Sequence, residues 1–196
     1  MKSCKDFYND SAQFWADNWY DNNSNLPYLK SLLKYINKKQ PRVLDLCCGA
    51  GYESMRLKEL GAEVVGLDFS EKELEIARQK NPDIMFFERD MLKSYKDLGE
   101  FDGVTYIAGI IHLQKCELKL AFNNIAEILK VGGYMLLVFR EGNEIQKTST
   151  FNNIQYERNF VYHQREDILK AMDNNFVFVK ELDSNDSWKY LIYKRV

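Results

Sequence analysis

Residues 43–54 read Val43-Leu44-Asp45-Leu46-Cys47-Cys48-Gly49-Ala50-Gly51-Tyr52-Glu53-Ser54, and their reading decides the fold. Val43, Leu44 and Leu46 are the kind of apolar run that fills a buried central strand. Gly49 and Gly51 let the backbone turn sharply and leave no side chain between main chain and ligand. A second apolar run, Val64-Val65-Gly66-Leu67, ends in Asp68, seventeen residues after Gly51. In nucleotide-binding strand–helix–strand units, an acid at that place accepts hydrogen bonds from a ribose diol. The plainer alternative is a tight turn followed by a helix-proximal acid. Strand, turn, helix, strand and acid in that order favour a nucleoside-containing cofactor at the carboxyl ends of a parallel sheet.

The rest of the chain extends this unit. Periodicity predicts a helix over residues 27–38, with Pro27 in its first turn and Leu29, Leu32, Leu33 and Ile36 on one face. After the glycine turn a helix is expected over 52–60, stopped by Gly61. Ser70 and Glu73 read as a capping box for a helix reaching residue 80, which Pro82 breaks. Strands are expected at 84–87 and 104–107. Leu118, Ala121, Phe122, Ile125, Ile128 and Leu129 line a long helix, with Gly132-Gly133 ending it before a fifth strand. Strands alternating with helices give a doubly wound parallel sheet. The tail differs: 176–182 and 188–193 read as strands joined only by the turn residues Asp183-Ser184-Asn185-Asp186-Ser187. Two strands joined so tightly must be antiparallel.

These segments together resemble the class I S-adenosylmethionine-dependent methyltransferases, in their small-molecule branch. Asp45, Cys48, Gly49 and Gly51 match the first motif of that family. Val65-Gly66-Leu67-Asp68-Phe69-Ser70 looks like its second strand, Glu88-Arg89-Asp90-Met91 like its adenine corner, and Phe101-Asp102-Gly103-Val104 like its fourth strand. Leu129 to Leu137 looks like its fifth strand and glycine turn. The resemblance implies a Rossmann-like, mostly parallel seven-stranded sheet ending in an antiparallel hairpin, and an enzyme that transfers a methyl group from S-adenosylmethionine to a small-molecule acceptor. It also implies roles. Gly49 and Gly51 approach the methionyl and ribose parts, Asp68 with Phe69 takes the ribose side, Asp90 and Met91 face the adenine, and the backbone at Ile107 and Ala108 meets the methionine amino group. Asp45 braces the loop. Cys47 departs from the pattern, standing where the family usually has its first glycine; a thiol adds volume, and a side chain is strained at positive φ. This departure motivates the alternative of a non-catalytic cofactor-binding or regulatory protein on the same fold. A nicotinamide oxidoreductase fits less well, because its fingerprint wants glycine where Cys47 stands and glycine or alanine where Ser54 stands.

Composition bounds the partners. The chain has 196 residues, 45% of them hydrophobic, with net charge −2, which is one domain's worth of core and no general pull toward nucleic acid or anionic lipid. No apolar run approaches the ~20 residues that span a bilayer. The four cysteines form no Cys-x-x-Cys or Cys/His cluster, so no metal site is expected, and reduced thiols suit a cytoplasmic protein. A monomer and a homodimer are both compatible with the sequence.

Residues 1–25 are expected to be an aromatic arm or lid, and 26–196 the methyltransferase domain with a substrate-side insertion at about 142–163. Phe7, Phe14 and Trp15 at helical spacing predict a short amphipathic helix in the arm, from which Tyr8, Trp15 and Tyr20 are lid candidates. His112 follows the fourth strand and is the candidate base for an attacking amine or hydroxyl. Arg140, at the end of the fifth strand, is a candidate to hold a polar substrate.

Overall fold

The computed structural model describes residues 1–183 and 187–196. Two helices, α1 (Cys4–Trp19) and α2 (Leu26–Ile36), precede the sheet. Then β1 (Arg42–Leu46), α3 (Tyr52–Glu59), β2 (Glu63–Asp68), α4 (Glu71–Lys80), β3 (Met85–Glu88), β4 (Phe101–Ile107), α5 (Leu118–Ile128) and β5 (Leu129–Arg140) alternate as the apolar periodicity requires. The hairpin β6 (Ile145–Phe151) and β7 (Ile154–Val161) follows, then α6 (Arg165–Met172), β8 (Phe176–Leu182) and β9 (Trp188–Arg195).

Seven strands form one sheet in the order β3-β2-β1-β4-β5-β9-β8. The first five run parallel, and β9 pairs antiparallel with both β5 and β8. This is the doubly wound sheet closed by an antiparallel pair that the sequence implies. The turn expected between the last two strands falls mostly on 184–186, outside the described residues. Strand order reverses between β1 and β4, so the crossover helices leave toward opposite faces there and open a crevice at the carboxyl ends.

Alternation along each strand splits the core in two. Leu44, Leu46, Met135, Leu137 and Phe139 face Phe122, Ile125, Ile168 and Met172 of α5 and α6. Val43, Val64, Leu136 and Val138 face Leu29, Leu32, Leu57 and Leu74 of α2, α3 and α4. Side chains of one strand serve two cores because successive Cβ atoms point to opposite faces.

Several local expectations are corrected. The α5 helix stops at Ile128, and Gly132-Gly133 lie inside β5 rather than before it. A Cβ on Gly133 would stand 2.9 Å from the Lys130 carbonyl oxygen and 3.0 Å from that of Asp102, so the glycine permits close passage of two backbones. Ser70 caps α4 by accepting from the Glu73 amide. The Glu73 carboxylate does not complete the expected box; it turns toward the glycine loop and accepts from the Ala50 amide. The arm helix is longer than expected, and Phe14 is 48% exposed.

Arg56 ties α1 to the sheet. Its side chain is 1% exposed, and its guanidinium donates to the carbonyls of Trp19 (2.8 Å), Tyr20 (2.7 Å) and Tyr52 (2.9 Å) and to Asn23 Oδ1 (3.1 Å). Glu53 lies 3.6 Å away and is nearly as buried. Burial pushes the Glu53 carboxyl up to about 7. Arg56→Met removes five partners at once and leaves Glu53 without its cation, so it is expected to cost about 3–5 kcal/mol of unfolding free energy in urea melts. A loss under about 1 kcal/mol would show that α1 is held by other contacts.

Candidate active site

The crevice at the strand-order reversal is a cavity of about 490 Å³. Four carboxyl-terminal strand ends contribute to it: Cys47 and Gly49 after β1, Asp68 and Phe69 at β2, Asp90 and Met91 after β3, and Ile107 and Ala108 at β4. Helix α1 crosses its mouth with Cys4, Tyr8, Trp15 and Trp19, and the β6–β7 hairpin adds Arg158, Asn159 and Phe160.

The floor is the glycine loop. Gly49 and Gly51 adopt φ of +52° and +82°. A Cβ on Gly51 would stand 2.9 Å from the Phe86 ring and 3.0 Å from Ala77, so this glycine serves loop packing and lies outside the cavity lining. Asp68 locks the loop: one carboxylate oxygen accepts from the Gly49 amide and the other from the Ser70 amide, each at 2.9 Å. Burial nonetheless raises its carboxyl above the usual range. Asp45 also stands outside the lining. It is buried beneath the loop, accepts from Ser54 Oγ (2.6 Å) and Thr105 Oγ1 (2.7 Å), and is pushed up to about 6 by burial. Its hydrogen bonds join the end of β1 to α3 and β4.

Cys47 sits at φ +61°, in the left-handed region that costs a side chain about 1 kcal/mol or more. Ala108, at the end of β4, is equally unusual at φ +58°. The thiol finds room against Gly109: a Cβ there would lie 2.6 Å from Cys47 Sγ. Cys47 Sγ also rests 3.6 Å from Met91 Sδ, and Met91 Sδ accepts from Tyr106 Oη at 2.9 Å.

His112 lines the cavity with both ring nitrogens engaged. Nδ1 lies 2.8 Å from the Asn159 carbonyl and Nε2 lies 2.8 Å from Tyr8 Oη. A carbonyl only accepts, so Nδ1 carries the proton and Nε2 accepts from the Tyr8 hydroxyl. Burial, with the Arg158 charge nearby, pulls the imidazole down to about 4. Arg158 Nη2 donates to Tyr8 Oη at 2.7 Å. Burial raises the Tyr8 hydroxyl well above the ordinary phenol range.

Two sequence candidates lie elsewhere. Tyr20 donates to the Ala50 carbonyl (2.5 Å) and accepts from Asn81 Nδ2 (3.0 Å), pinning the end of the arm to the outside of the loop. Arg140 stacks over Trp188 and donates to Tyr162 Oη, outside the cavity lining. His163 is buried, with Nε2 on the Ile110 carbonyl.

Sequence reading missed Cys4 and Trp19, which share a helical stripe with Tyr8 and Trp15 at i, i+4, i+11 and i+15. It missed Arg158, which alternates with Tyr156 and Phe160 on one face of β7. It also missed Glu73, whose Oε2 is buried without a hydrogen-bond partner at the cavity edge.

A methyltransferase-domain profile matches residues 43–133. The chain is 35% identical over 121 residues to the putative methyltransferase YqeM of Bacillus subtilis, covering 58% of this chain and 49% of that protein. Residues 43–133 thus match the methyltransferase-domain family, and the chain is similar to S-adenosylmethionine-dependent methyltransferases. Its fold is that of the PH0226 protein of Pyrococcus horikoshii (TM-score 0.77, 22% identity, 94% of this chain and 99% of that one). It is also that of magnesium protoporphyrin IX methyltransferase from Synechocystis, solved with bound S-adenosylmethionine (TM-score 0.73, 20% identity, 98% and 95% covered). The chain spans about half the length of the curated relatives it matches.

Burial and the neighbouring Asp68 charge push the Glu73 carboxyl up to about 9, so it is protonated in the folded protein at neutral pH. The unfolded chain releases that proton near the ordinary glutamate value. Rising pH therefore favours unfolding across the window from about 4.5 to about 9. Glu73→Gln, which cannot ionise, is expected to flatten this fall when urea midpoints at about pH 5.5 and about pH 8.5 are compared. Parallel pH curves for variant and parent would remove Glu73 from the account.

Proposed function

We propose that the cavity binds S-adenosylmethionine and that the chain transfers its methyl group to a small-molecule acceptor held on the hairpin side. The observation that carries this reading is the convergence of Gly49, Asp68, Asp90, Met91, Ile107 and Ala108 from four strand ends on one cavity. The residues present suit such a group. Acids lie along the β2–β3 side, where hydroxyl and amino donors need acceptors. Glu73 offers an unsatisfied buried oxygen beside the glycine loop, and no side chain rises from Gly49 between them.

The cofactor supplies a methyl on a sulfonium, already activated for in-line attack, so the protein's task is orientation and desolvation. In this reading the lone pairs left free on Asp68 accept from the ribose hydroxyls, and Asp90 accepts from the adenine amino group. The Met91 amide faces the ring edge. The strained backbone at Cys47 and Ala108 holds the strand ends that flank the methionyl part. Tyr8, Trp15 and Trp19 cover the site and exclude water, with Tyr52 stacked on Trp19 at 5.9 Å. His112, held neutral and far below its ordinary value, is a weak base at physiological pH. It acts as a positioning residue that fixes the Tyr8 hydroxyl, and Tyr8 faces the acceptor.

Asp68→Asn keeps one carbonyl acceptor and removes the charge. It is expected to weaken S-adenosylhomocysteine binding by about tenfold or more in calorimetry, the scale of one or two charge-assisted hydrogen bonds. Methyl transfer at saturating cofactor should fall less. Unchanged affinity would take Asp68 out of the cofactor site.

A further inference from the structure

The cavity is electrically lopsided. Asp68, Glu73, Asp90 and Glu117 line it from β2, α4, the segment after β3 and the start of α5. Two arginines line it. Arg89 is paired with Asp97 at 2.9 Å. Arg158 enters from β7 on the other side, and among the described residues no carboxylate lies within ion-pairing distance of it.

Its surroundings are aromatic rather than acidic. The guanidinium carbon lies 4.5 Å from the Phe7 ring centre, 5.2 Å from that of Tyr8 and 5.6 Å from that of Phe160. Of its five N–H donors, one reaches Tyr8 Oη and one reaches Ser149 Oγ at 3.3 Å, while Nε is buried without a partner. Ring faces offset part of the cost of a desolvated cation, but they satisfy no N–H. A guanidinium that lines a cavity with N–H donors left over matches a carboxylate better than any neutral group.

We propose that Arg158 is the acceptor's anion site, and that the acceptor is a carboxylate carried on a flat apolar body. The inference rests on the methyl-transfer reading for the word acceptor; the anion site itself does not. Asp68, Asp90 and Glu117 on the cofactor side repel a carboxylate, so the ligand's charge is directed to the hairpin end. Its body then lies against Tyr8, Phe160 and Trp188, which face the same cavity. Phe160 and Trp188 contact each other edge to face at 6.4 Å, which makes a wall suited to a planar group. His112 contributes no competing charge, because it is held neutral. The Tyr8 hydroxyl is held between Arg158 and His112, so it stays on the anion side of the wall instead of turning away.

The test titrates benzoate and benzamide into the protein by calorimetry, with and without saturating S-adenosylhomocysteine. The two probes share a ring and differ in charge. Saturable benzoate binding is expected, with benzamide weaker by about tenfold or more, as for loss of a bidentate charge-assisted pair. Arg158→Gln should bring benzoate down to the benzamide level, and Arg158→Lys should restore part of the difference, since a point charge keeps attraction without the fork. Circular-dichroism melts of both variants report whether they fold. Equal binding of the two probes, absent benzoate binding, or full benzoate affinity in folded Arg158→Gln would each overturn the proposal. Failure of S-adenosylhomocysteine to bind would count against the cofactor reading alone, because the benzoate comparison is also made without it.

Discussion

The hydrogen bond from the Gly49 amide to Asp68 at 2.9 Å is the constraint on which the site depends. It joins the loop after β1 to the end of β2, across the strand pair that flanks the point of order reversal. A sheet whose crossovers diverge there leaves a crevice by topology alone. What turns the crevice into a shaped cavity is the loop's position, and that position is set by a buried carboxylate whose other oxygen holds the start of α4. The cost of burying that acid appears as its raised pKa and is offset by amide donors. The same wall holds Glu73 in protonated form, so two adjacent acids coexist by carrying one charge.

Strain at the site is compensated locally. Cys47 occupies a left-handed conformation that favours glycine, and its sulfur fills the space that Gly109 leaves open on the opposing strand end. The position that departs from the family's glycine pattern is thus paired with a glycine elsewhere. Desolvation raises the Cys47 thiol well above its ordinary value, which suits a packing group better than a nucleophile.

The sheet was legible in the sequence because its signals are local: apolar runs of strand length, a capping serine at Ser70, glycines at turns, and a tail with no crossover helix. The glycine loop and Asp68 were legible for the same reason. The form of residues 142–163 was not, since β6 is mostly exposed, β7 is only partly buried, and neither carries an apolar run. Arg158 shows itself only as one member of a two-residue alternation. The arm's attachment was hidden as well. Arg56 reaches backbone carbonyls at Trp19 and Tyr20, and nothing in a single sequence marks a carbonyl as an acceptor for a distant guanidinium. Glu73 fits two local rules at once, a capping box and a loop brace, and the structure chose the second because the loop amide at Ala50 needed an acceptor.

All three tryptophans of the chain, Trp15, Trp19 and Trp188, line the cavity, so intrinsic fluorescence reads its occupancy directly. Titration with S-adenosylhomocysteine, with NAD as the control nucleotide, decides which nucleotide this cavity takes. A saturable one-to-one change in tryptophan emission with S-adenosylhomocysteine and none with NAD is the predicted result. A flat response to S-adenosylhomocysteine, or an equal response to NAD, would contradict the assignment of this cavity to S-adenosylmethionine.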